Sequence, residues 1–183
     1  MPDRARIDKI IQDHVLWAIG AGLVPLPVLD IVAVTAVQLD MLRQLAHLHD
    51  IRFSESEGKA WVSALAGNMA ARIGANAIKL IPGLGSVIGG ISMSVISGAS
   101  TYAIGQVAAR HFAKGGTFGD IDMTAAKRVY DEELERGKQV AQDLSSENKD
   151  AFAKLERLAK LRDKGVISAE DFEEQKKRIL AQI

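Results

Sequence analysis

Apolar residues in the first half of the chain recur at steps of three and four positions, which is the spacing of one helical face. One such stripe predicts a helix over residues 3–20, which Pro25 and Pro27 end because proline cannot continue a helix. A second stripe predicts a helix from Pro27 to about His49, and a third helix follows Ser54. Strand-like alternation is too short to predict a sheet, so the pattern favours an all-α fold.

Small residues follow the same helical spacing in the third helix and in the uncharged run over residues 80–109. The first set is Ala60, Ala64, Gly67, Ala71 and Gly74, and the second is Ser86, Gly90, Ser94 and Gly98. Small side chains allow two helix backbones to approach each other closely. We therefore expect the first set to form a seam that packs on the second set, in water or in lipid.

The C-terminal third of the chain has a different pattern. Residues 123–144 predict a polar helix, which is followed by a linker and by a short helical hairpin that turns at Gly165. Ser168 has Asp171 three positions later, the spacing of a capping box for the second helix of the hairpin. The apolar residues expected to serve the hairpin's contacts are Leu155, Leu158 and Leu161 in the first helix, and Phe172, Ile179 and Leu180 in the second.

Charge divides the chain in the same way. Residues 120–183 carry 28 of its 46 charged side chains, although the formal net charge is zero. The division predicts an apolar Gly/Ala-rich helical body over 1–119, a polar connecting helix and linker over 120–146, and the hairpin over 147–183. A neutral chain argues against nucleic acid as a partner, because binding to phosphates requires a basic surface.

The sequence offers little catalytic chemistry. It contains no cysteine, which excludes disulfides, thiol catalysis and cysteine-bound metals. We expect no catalytic residue, no metal and no cofactor, because neither a nucleophile–base pair nor a set of metal ligands emerges. His47 and His49 point to different sides of a helix and are more typical of a solvated helix end than of a metal site. Gly83, Gly85 and Gly89 lack the spacing of a phosphate loop, so we interpret them as a turn between helices.

Asp30 is the polar residue with two interpretations. It is the single charged residue between Val15 and Leu39. In the first turn of the second helix, its carboxylate would complement the helix dipole. Alternatively, it is a buried carboxylate that faces Gln38 or a polar cavity, and such a group in an apolar setting usually has a purpose.

The uncharged run over 80–109 also leaves two interpretations open. About 20 apolar residues span a bilayer core, and the run exceeds that length. Its Gly, Ser and Ala content equally suits a central helix that its neighbours bury on all sides. The predicted architecture is therefore either a small-residue-rich helical bundle or a set of membrane-associated helical hairpins, followed by the polar helix and the hairpin.

Residues 151–183 resemble a SHOCT (short C-terminal) domain. The resemblance rests on Leu155-x-x-Leu158, on Leu161-Arg-Asp-Lys-Gly165-Val-Ile-Ser168 and on Glu170-Asp171-Phe172. It implies a small two-helix module for interaction or oligomerisation, without catalysis.

Residues 14–113 resemble a bacterial family of unknown function, number six-nine-seven, that occurs beside or fused to Era-like GTPase domains. The matching features are Pro25-x-Pro27-x-x-Asp30, Gln38-x-x-Met41-x-x-x-Leu45, Ile81-Pro82-Gly83-x-Gly85 and Tyr102-x-x-Gly105 leading to Phe112. The chain has no Gly-x-x-x-x-Gly-Lys-[Ser/Thr] loop of its own. The resemblance therefore implies that any nucleotide chemistry belongs to a GTPase-family protein partner.

These observations together predict a non-enzymatic, membrane-associated adaptor or scaffold. We expect it to form homo-oligomers through the hairpin, to contact membrane lipid and to act with a GTPase-type partner. Its charged N-terminus does not resemble a signal peptide, so the expected location is the cytoplasmic face of the inner membrane. The alternative is a soluble helical assembly protein of the cytoplasm that has no membrane contact.

Overall fold

The computed structural model describes residues 3–22, 29–77, 87–88 and 91–183, with side chains over 3–22, 32–67 and 93–183. The helices are α1 (Arg4–Ala21), α2 (Leu29–Leu48), α3 (Glu55–Ala77), α4 (Met93–Ala113), α5 (Met123–Glu147), α6 (Lys149–Asp163) and α7 (Ala169–Leu180). Two short strands, β1 (Val87–Ile88) and β2 (Ile91–Ser92), pair antiparallel before α4. The other elements of the described residues are helices, which confirms the all-α prediction.

Helix α4 forms the centre of the bundle, since α1, α2 and α5 all pack on it. It runs antiparallel to α1, because Gly98 lies beside Ile19 while Gly105 lies beside Ile11. A Cβ atom added at Gly98 would be 2.8 Å from Cγ1 of Ile19, so the missing side chain lets the two helices come this close. The structure thus agrees with a central helix buried by its neighbours, but this helix begins at Met93 rather than near residue 80.

Two members of the second set of small residues lie in the described part of the 80–109 run. Ser94 and Gly98 lie on α4, and Gly98 packs against α1 and against Ala141 of α5 instead of against α3. Ser86 and Gly90 lie outside the described residues. The chain forms strands at 87–88 and 91–92, so the predicted continuous helix over the second set of small residues is interrupted before Met93.

The predicted seam of α3 does not pack within the described part of the chain. Ala60 and Gly67 are exposed, Ala64 is half-buried, and no described atom lies within 4 Å of the place that a Cβ atom of Gly67 would take. The side chains at Ala71 and Gly74 lie outside the described residues. Larger apolar side chains hold α3 to the bundle instead, and these are Trp61, Val62 and Leu65.

Helix α5 belongs to the core, although its sequence predicts a polar connector. Tyr130, Leu134 and Gly137 are buried in it. A Cβ atom at Gly137 would be 2.7 Å from the carbonyl oxygen of Ala99, so α5 and α4 meet at their backbones. The many polar residues of α5 form the outer face of an amphipathic helix, which is why the composition suggested a connector. The predicted linker is wrong as well, because Asn148 alone separates α5 from α6.

An aromatic cluster closes the end of the bundle at which α3 begins and α4 ends. The ring of Trp61 stacks on Phe112 with 5.7 Å between centroids, and the ring of Phe118 lies 4.9 Å from that of Trp61. The indole Nε1 of Trp61 donates to the carbonyl oxygen of Phe118 at 3.0 Å. The cluster therefore fixes the loop that leads from α4 to α5.

The C-terminal hairpin is built as its local sequence predicts. The backbone N–H of Asp171 donates to Oγ of Ser168 at 3.0 Å, and the N–H of Ser168 donates to the Asp171 carboxylate at 3.1 Å. These two bonds form the predicted capping box, which satisfies amide groups at the start of α7. Gly165 has a φ of 70°, a left-handed turn that glycine adopts without strain.

The hairpin also packs on the body. Leu155 and Leu180 share the main core, and a Cβ atom at Gly20 of α1 would lie 3.0 Å from Cδ2 of Leu180. The six predicted hairpin residues therefore differ in burial: Leu155, Phe172 and Leu180 are buried, Leu158 and Ile179 are half-buried, and Leu161 is exposed. Five of the six serve contacts inside the chain, because Leu158 and Ile179 also pack against the buried clusters.

Candidate functional site

A chain of buried hydrogen bonds crosses the centre of the bundle. Nε2 of Gln38 donates to Oγ1 of Thr101 at 3.2 Å, and Thr101 in turn donates to the carbonyl oxygen of Ser97 at 2.9 Å. The hydroxyl groups of Ser100 and Tyr130 share a hydrogen bond of 2.9 Å. Burial raises the pKa of Tyr130 to about 12. These contacts join α2, α4 and α5, and because they are enclosed by the core they order the helices rather than meet a ligand.

The sequence predicted one residue of this hydrogen-bond network, Gln38, and did not reveal the others. Gln38 is buried, as one interpretation required, and the partners that the structure describes for it, Ser100 and Thr101, are on α4. The side chain of Asp30 lies outside the described residues, so its role stays a prediction. Ser100 and Thr101 are polar residues inside an uncharged helix, and this was the available signal that they need partners.

A second buried group is the carboxylate of Glu133 on α5, which is 1% exposed. Its Oε1 accepts hydrogen bonds from the guanidinium groups of Arg110 on α4 and Arg136 on α5, the latter at 2.8 Å. A carboxylate that two guanidinium groups neutralise tolerates burial. We assign it to the packing of α4 on α5.

The third polar contact lies between α1 and α2. Nε2 of His14 lies 3.2 Å from Oδ2 of Asp40, and Nδ1 of His14 lies 2.7 Å from the carbonyl oxygen of Ile10. Partial burial acts to raise the pKa of Asp40, but hydrogen bonds from His14, Gln44 and Arg43 outweigh it and hold the pKa below its ordinary value. The pair connects two helices and has no nucleophile within the contacts that it makes.

Metal ligation finds no support among the described residues, where no three His, Asp or Glu side chains are placed to share an ion. His47 is exposed, as a solvated helix end predicts, but His49 is half-buried with its ring 6.0 Å from that of Phe112. Burial lowers the pKa of His49. The prediction of a solvated end is therefore right for one histidine and wrong for the other, which packs on the aromatic cluster.

A groove opens where α1 begins and α2 ends. It encloses about 590 Å³, and its rim carries Arg6, Arg43, Arg52 and His47. Its floor is apolar and consists of Ile10, Leu48, Ile51 and Phe53, all half-buried. Among the described residues, no carboxylate lines this groove. We name it the basic groove.

The end of α2 places the basic residues of the groove. Asp50 adopts a φ of 54°, a left-handed conformation that aspartate tolerates better than most side chains. The chain then folds back, and the N–H of Ile51 donates to the carbonyl oxygen of Ala46 at 2.8 Å. This helix ending brings Ile51 onto the floor and Arg52 to the rim.

The opposite end of the bundle is the end at which α1 ends and α2 and α4 begin. Helix α1 ends there beside the start of α4, since a Cβ atom at Gly22 would be 3.0 Å from Cα of Ser94. Helix α2 begins there at Leu29, and Val32 in its first turns is 60% exposed. The sequence between α1 and α2 is uncharged over 23–28, and the sequence before α4 has Lys79 as its one charge over 78–92. We name this region the apolar end.

Comparisons with known proteins support the two resemblances. The family described as "Domain of unknown function (DUF697)" matches residues 2–139, and the short C-terminal domain, SHOCT, matches residues 153–180. The chain is similar to "Magnetosome membrane protein 22" of Magnetospirillum gryphiswaldense, with 38% identity over 139 residues, 73% of this chain and 71% of the relative. No solved structure matches the chain significantly. Among the described residues, no helix has the length and hydrophobicity needed to cross a bilayer.

Proposed function

Since the chain belongs to the DUF697 family and carries a C-terminal SHOCT domain, we propose that it is a non-enzymatic adaptor that associates with a membrane. The observation that carries the proposal is the similarity, over 73% of the chain, to a relative described as a magnetosome membrane protein. The adaptor role fits three buried polar groups in the described part of the chain. Gln38, Tyr130 and Glu133 each bond to a neighbouring helix, and none of these three lines either of the grooves found among the described residues.

The apolar end is the part of the molecule that we assign to the lipid. Exposed apolar side chains gain free energy when they leave water for the interface of a bilayer. Val32 in the first turns of α2 exposes such surface, and so does Trp17 about one turn before the end of α1. The uncharged sequences next to it, over 23–28 and most of 78–92, favour the same orientation. In this arrangement α1, α2 and α4 have their apolar end towards the membrane.

We further propose that the protein self-associates, acts with a GTPase-type partner and lies on the cytoplasmic face of the inner membrane. Leu161 and Ile183 of the C-terminal region expose apolar surface, which supports self-association through the hairpin. A GTPase-type partner and the cytoplasmic face of the inner membrane rest on the resemblance and on the N-terminal sequence. Each is a separate expectation, and an oligomer without a GTPase would leave the membrane role intact.

Flotation with lipid vesicles tests the membrane role. We expect the wild-type protein to float with vesicles of phosphatidylglycerol and phosphatidylethanolamine. The variant Val32→Asp should bind about ten-fold more weakly, because it places a charge at the apolar end. An aspartate in the first turns of α2 suits the helix dipole, so this variant should fold.

A matched control uses another exposed valine. Val166 is 66% exposed in the turn between α6 and α7, and Val166→Asp has the same chemistry as Val32→Asp. We expect Val166→Asp to float like the wild type. Equal losses in both variants, or a wild-type protein that stays in the soluble fraction, would contradict the assignment of the apolar end to lipid.

A soluble assembly protein is the second candidate, and the packing of α4 favours it. This apolar helix is covered by α1, α2 and α5, so the bundle closes its own core without lipid. The second candidate predicts a defined particle in size-exclusion chromatography without detergent. It also predicts that adding vesicles does not change the elution of the protein.

A further inference from the structure

The basic groove has no role in the function described so far. We propose that it binds an acidic segment of a partner protein, with one apolar side chain of that segment on the groove floor. The proposal rests on the membrane-adaptor function proposed above, because it supplies what the adaptor would recruit.

The rim of the basic groove carries unbalanced positive charge. Arg43 forms an ion pair with Asp40, whereas Arg6 and Arg52 have no ion pair among the described residues. Both of these side chains are exposed, so their guanidinium groups are free to meet a ligand. The planar guanidinium group matches the two oxygens of a carboxylate, and several together favour an acidic partner.

An apolar floor lies beneath these charges. Ile10, Leu48, Ile51 and Phe53 leave apolar surface in contact with water, and a ligand that covers it gains free energy. The groove, at about 590 Å³, has the size of a site for a small ligand or for one or two side chains. A purely acidic ligand would leave the floor wet, so the best occupant combines carboxylates with an apolar anchor.

The position of the groove favours a protein segment over a membrane lipid. Arg6 lies near the start of α1, and Gly22 follows its end, so about 24 Å of helix separates the groove from the apolar end. A bilayer at the apolar end therefore cannot also reach the groove. The groove faces the solution, where a segment of a partner protein is the available anionic and apolar ligand.

Fluorescence anisotropy with a defined peptide tests the proposal on the full chain without vesicles. The probe is a short labelled peptide in which glutamates flank a central Leu-Phe pair. We expect saturable binding that weakens as the salt concentration rises, because the contacts are between exposed charges. The double variant Arg6→Gln/Arg52→Gln should weaken binding about ten-fold.

A second double variant controls for net charge. Arg128 and Arg157 are exposed on α5 and α6, and Arg128→Gln/Arg157→Gln removes the same charge elsewhere. It should bind the probe like the wild type. Two altered peptides complete the design, one with glutamine in place of glutamate and one with serine in place of the Leu-Phe pair. Each should bind at least several-fold more weakly than the probe.

Three results would overturn the proposal. The first is that the wild type does not bind the probe, and the second is that both double variants weaken binding equally, which indicates general attraction between charges. The third is that anionic vesicles bind the wild type but not Arg6→Gln/Arg52→Gln, which would make the groove a lipid site. Because the peptide assay contains no lipid, its failure would leave the flotation result of Val32→Asp standing, and the reverse also holds.

Discussion

The helical body and the C-terminal hairpin reach their structures by different kinds of contact. In the hairpin, the deciding interactions are between near neighbours in sequence, such as the capping box of Ser168 with Asp171. In the body, they join distant positions, as when Gln38 bonds to Thr101 or Gly137 meets the backbone of Ala99. Local contacts are visible in a sequence pattern, whereas the body reveals its contacts only after folding.

The two regions nevertheless share a core. Leu155 and Leu180 of the hairpin lie against Gly20 of α1, and α6 follows α5 after a single residue. The hairpin, which contacts between near neighbours in sequence stabilise, is in this way attached to a body that contacts between distant positions stabilise. Variants in each region can show whether the hairpin and the body unfold together.

Truncation of a docking side chain should have the largest effect. We expect Leu155→Ala to lower the free energy of unfolding by about 3 kcal/mol, because it opens a cavity between α6 and α1. The exposed Leu161 on the same helix provides the control, and Leu161→Ala should cost less than about 0.5 kcal/mol. Chemical denaturation followed by tryptophan fluorescence, which reports on the body through Trp61, measures both. If Leu155→Ala left the fluorescence transition unchanged, the hairpin would be an independent unit.

Alkaline pH should weaken the body through Tyr130. Burial raises its pKa from 10.0 to about 12, so the fold favours the neutral phenol. The resulting stability is present below about pH 10 and is lost as the pH rises towards 12, by about 2–3 kcal/mol in total. Denaturation at several pH values should reveal this loss in the wild type and a smaller loss in Tyr130→Phe. A variant with the same alkaline loss as the wild type would show that the phenol is not responsible.

Two glycines should respond in opposite directions to the same substitution. Gly137→Ala places a Cβ atom against the backbone of Ala99, which cannot move aside easily, and we expect a loss of about 1–2 kcal/mol. Gly67→Ala on α3 meets no described atom within 4 Å and should gain about 0.5–1 kcal/mol from better helix propensity. Thermal unfolding of the two variants compares them directly. A destabilised Gly67→Ala would mean that the α3 seam packs against something, such as a second copy of the chain.

The smallest loss of stability among the test variants should come from the capping box. Ser168→Ala removes the acceptor for the N–H of Asp171 and should cost about 1 kcal/mol. Because the box is local, we expect the change to appear as faster amide hydrogen exchange in α7 more than in α4. Equal changes in exchange in both helices would indicate that the hairpin and the body are one cooperative unit.

The same difference between local and distant contacts explains which parts of the fold the sequence predicted. Periodicity and caps predicted the helices and the hairpin, because those signals lie within a few residues of each other. The core role of α5 was hidden, since its buried face is narrow and its contact with Ala99 joins positions 38 residues apart. The start of α4 at Met93 was also missed, because an uncharged run has no polar residue to mark where a helix begins.

The candidate sites divide in the same manner. Gln38 was recognised as a buried polar residue, but its partners Ser100 and Thr101 are on another helix. The basic groove was invisible in the sequence, because Arg6 and Arg52 are 46 positions apart and come together only when α1 packs on α2. An equal number of acids and bases along the chain concealed this local excess of positive charge.

We propose that the molecule binds at both ends of the bundle, with the apolar end on lipid and the basic groove on an acidic partner. Flotation of vesicles with both the protein and the labelled acidic peptide tests both ends at once. We predict that the peptide floats with the wild type. It should not float with Val32→Asp, because this variant leaves the vesicles. It should not float with Arg6→Gln/Arg52→Gln either, because this variant stays on the vesicles but does not hold the peptide. Vesicle-bound wild-type protein that excludes the peptide would contradict the account, because lipid and partner would then compete for one surface.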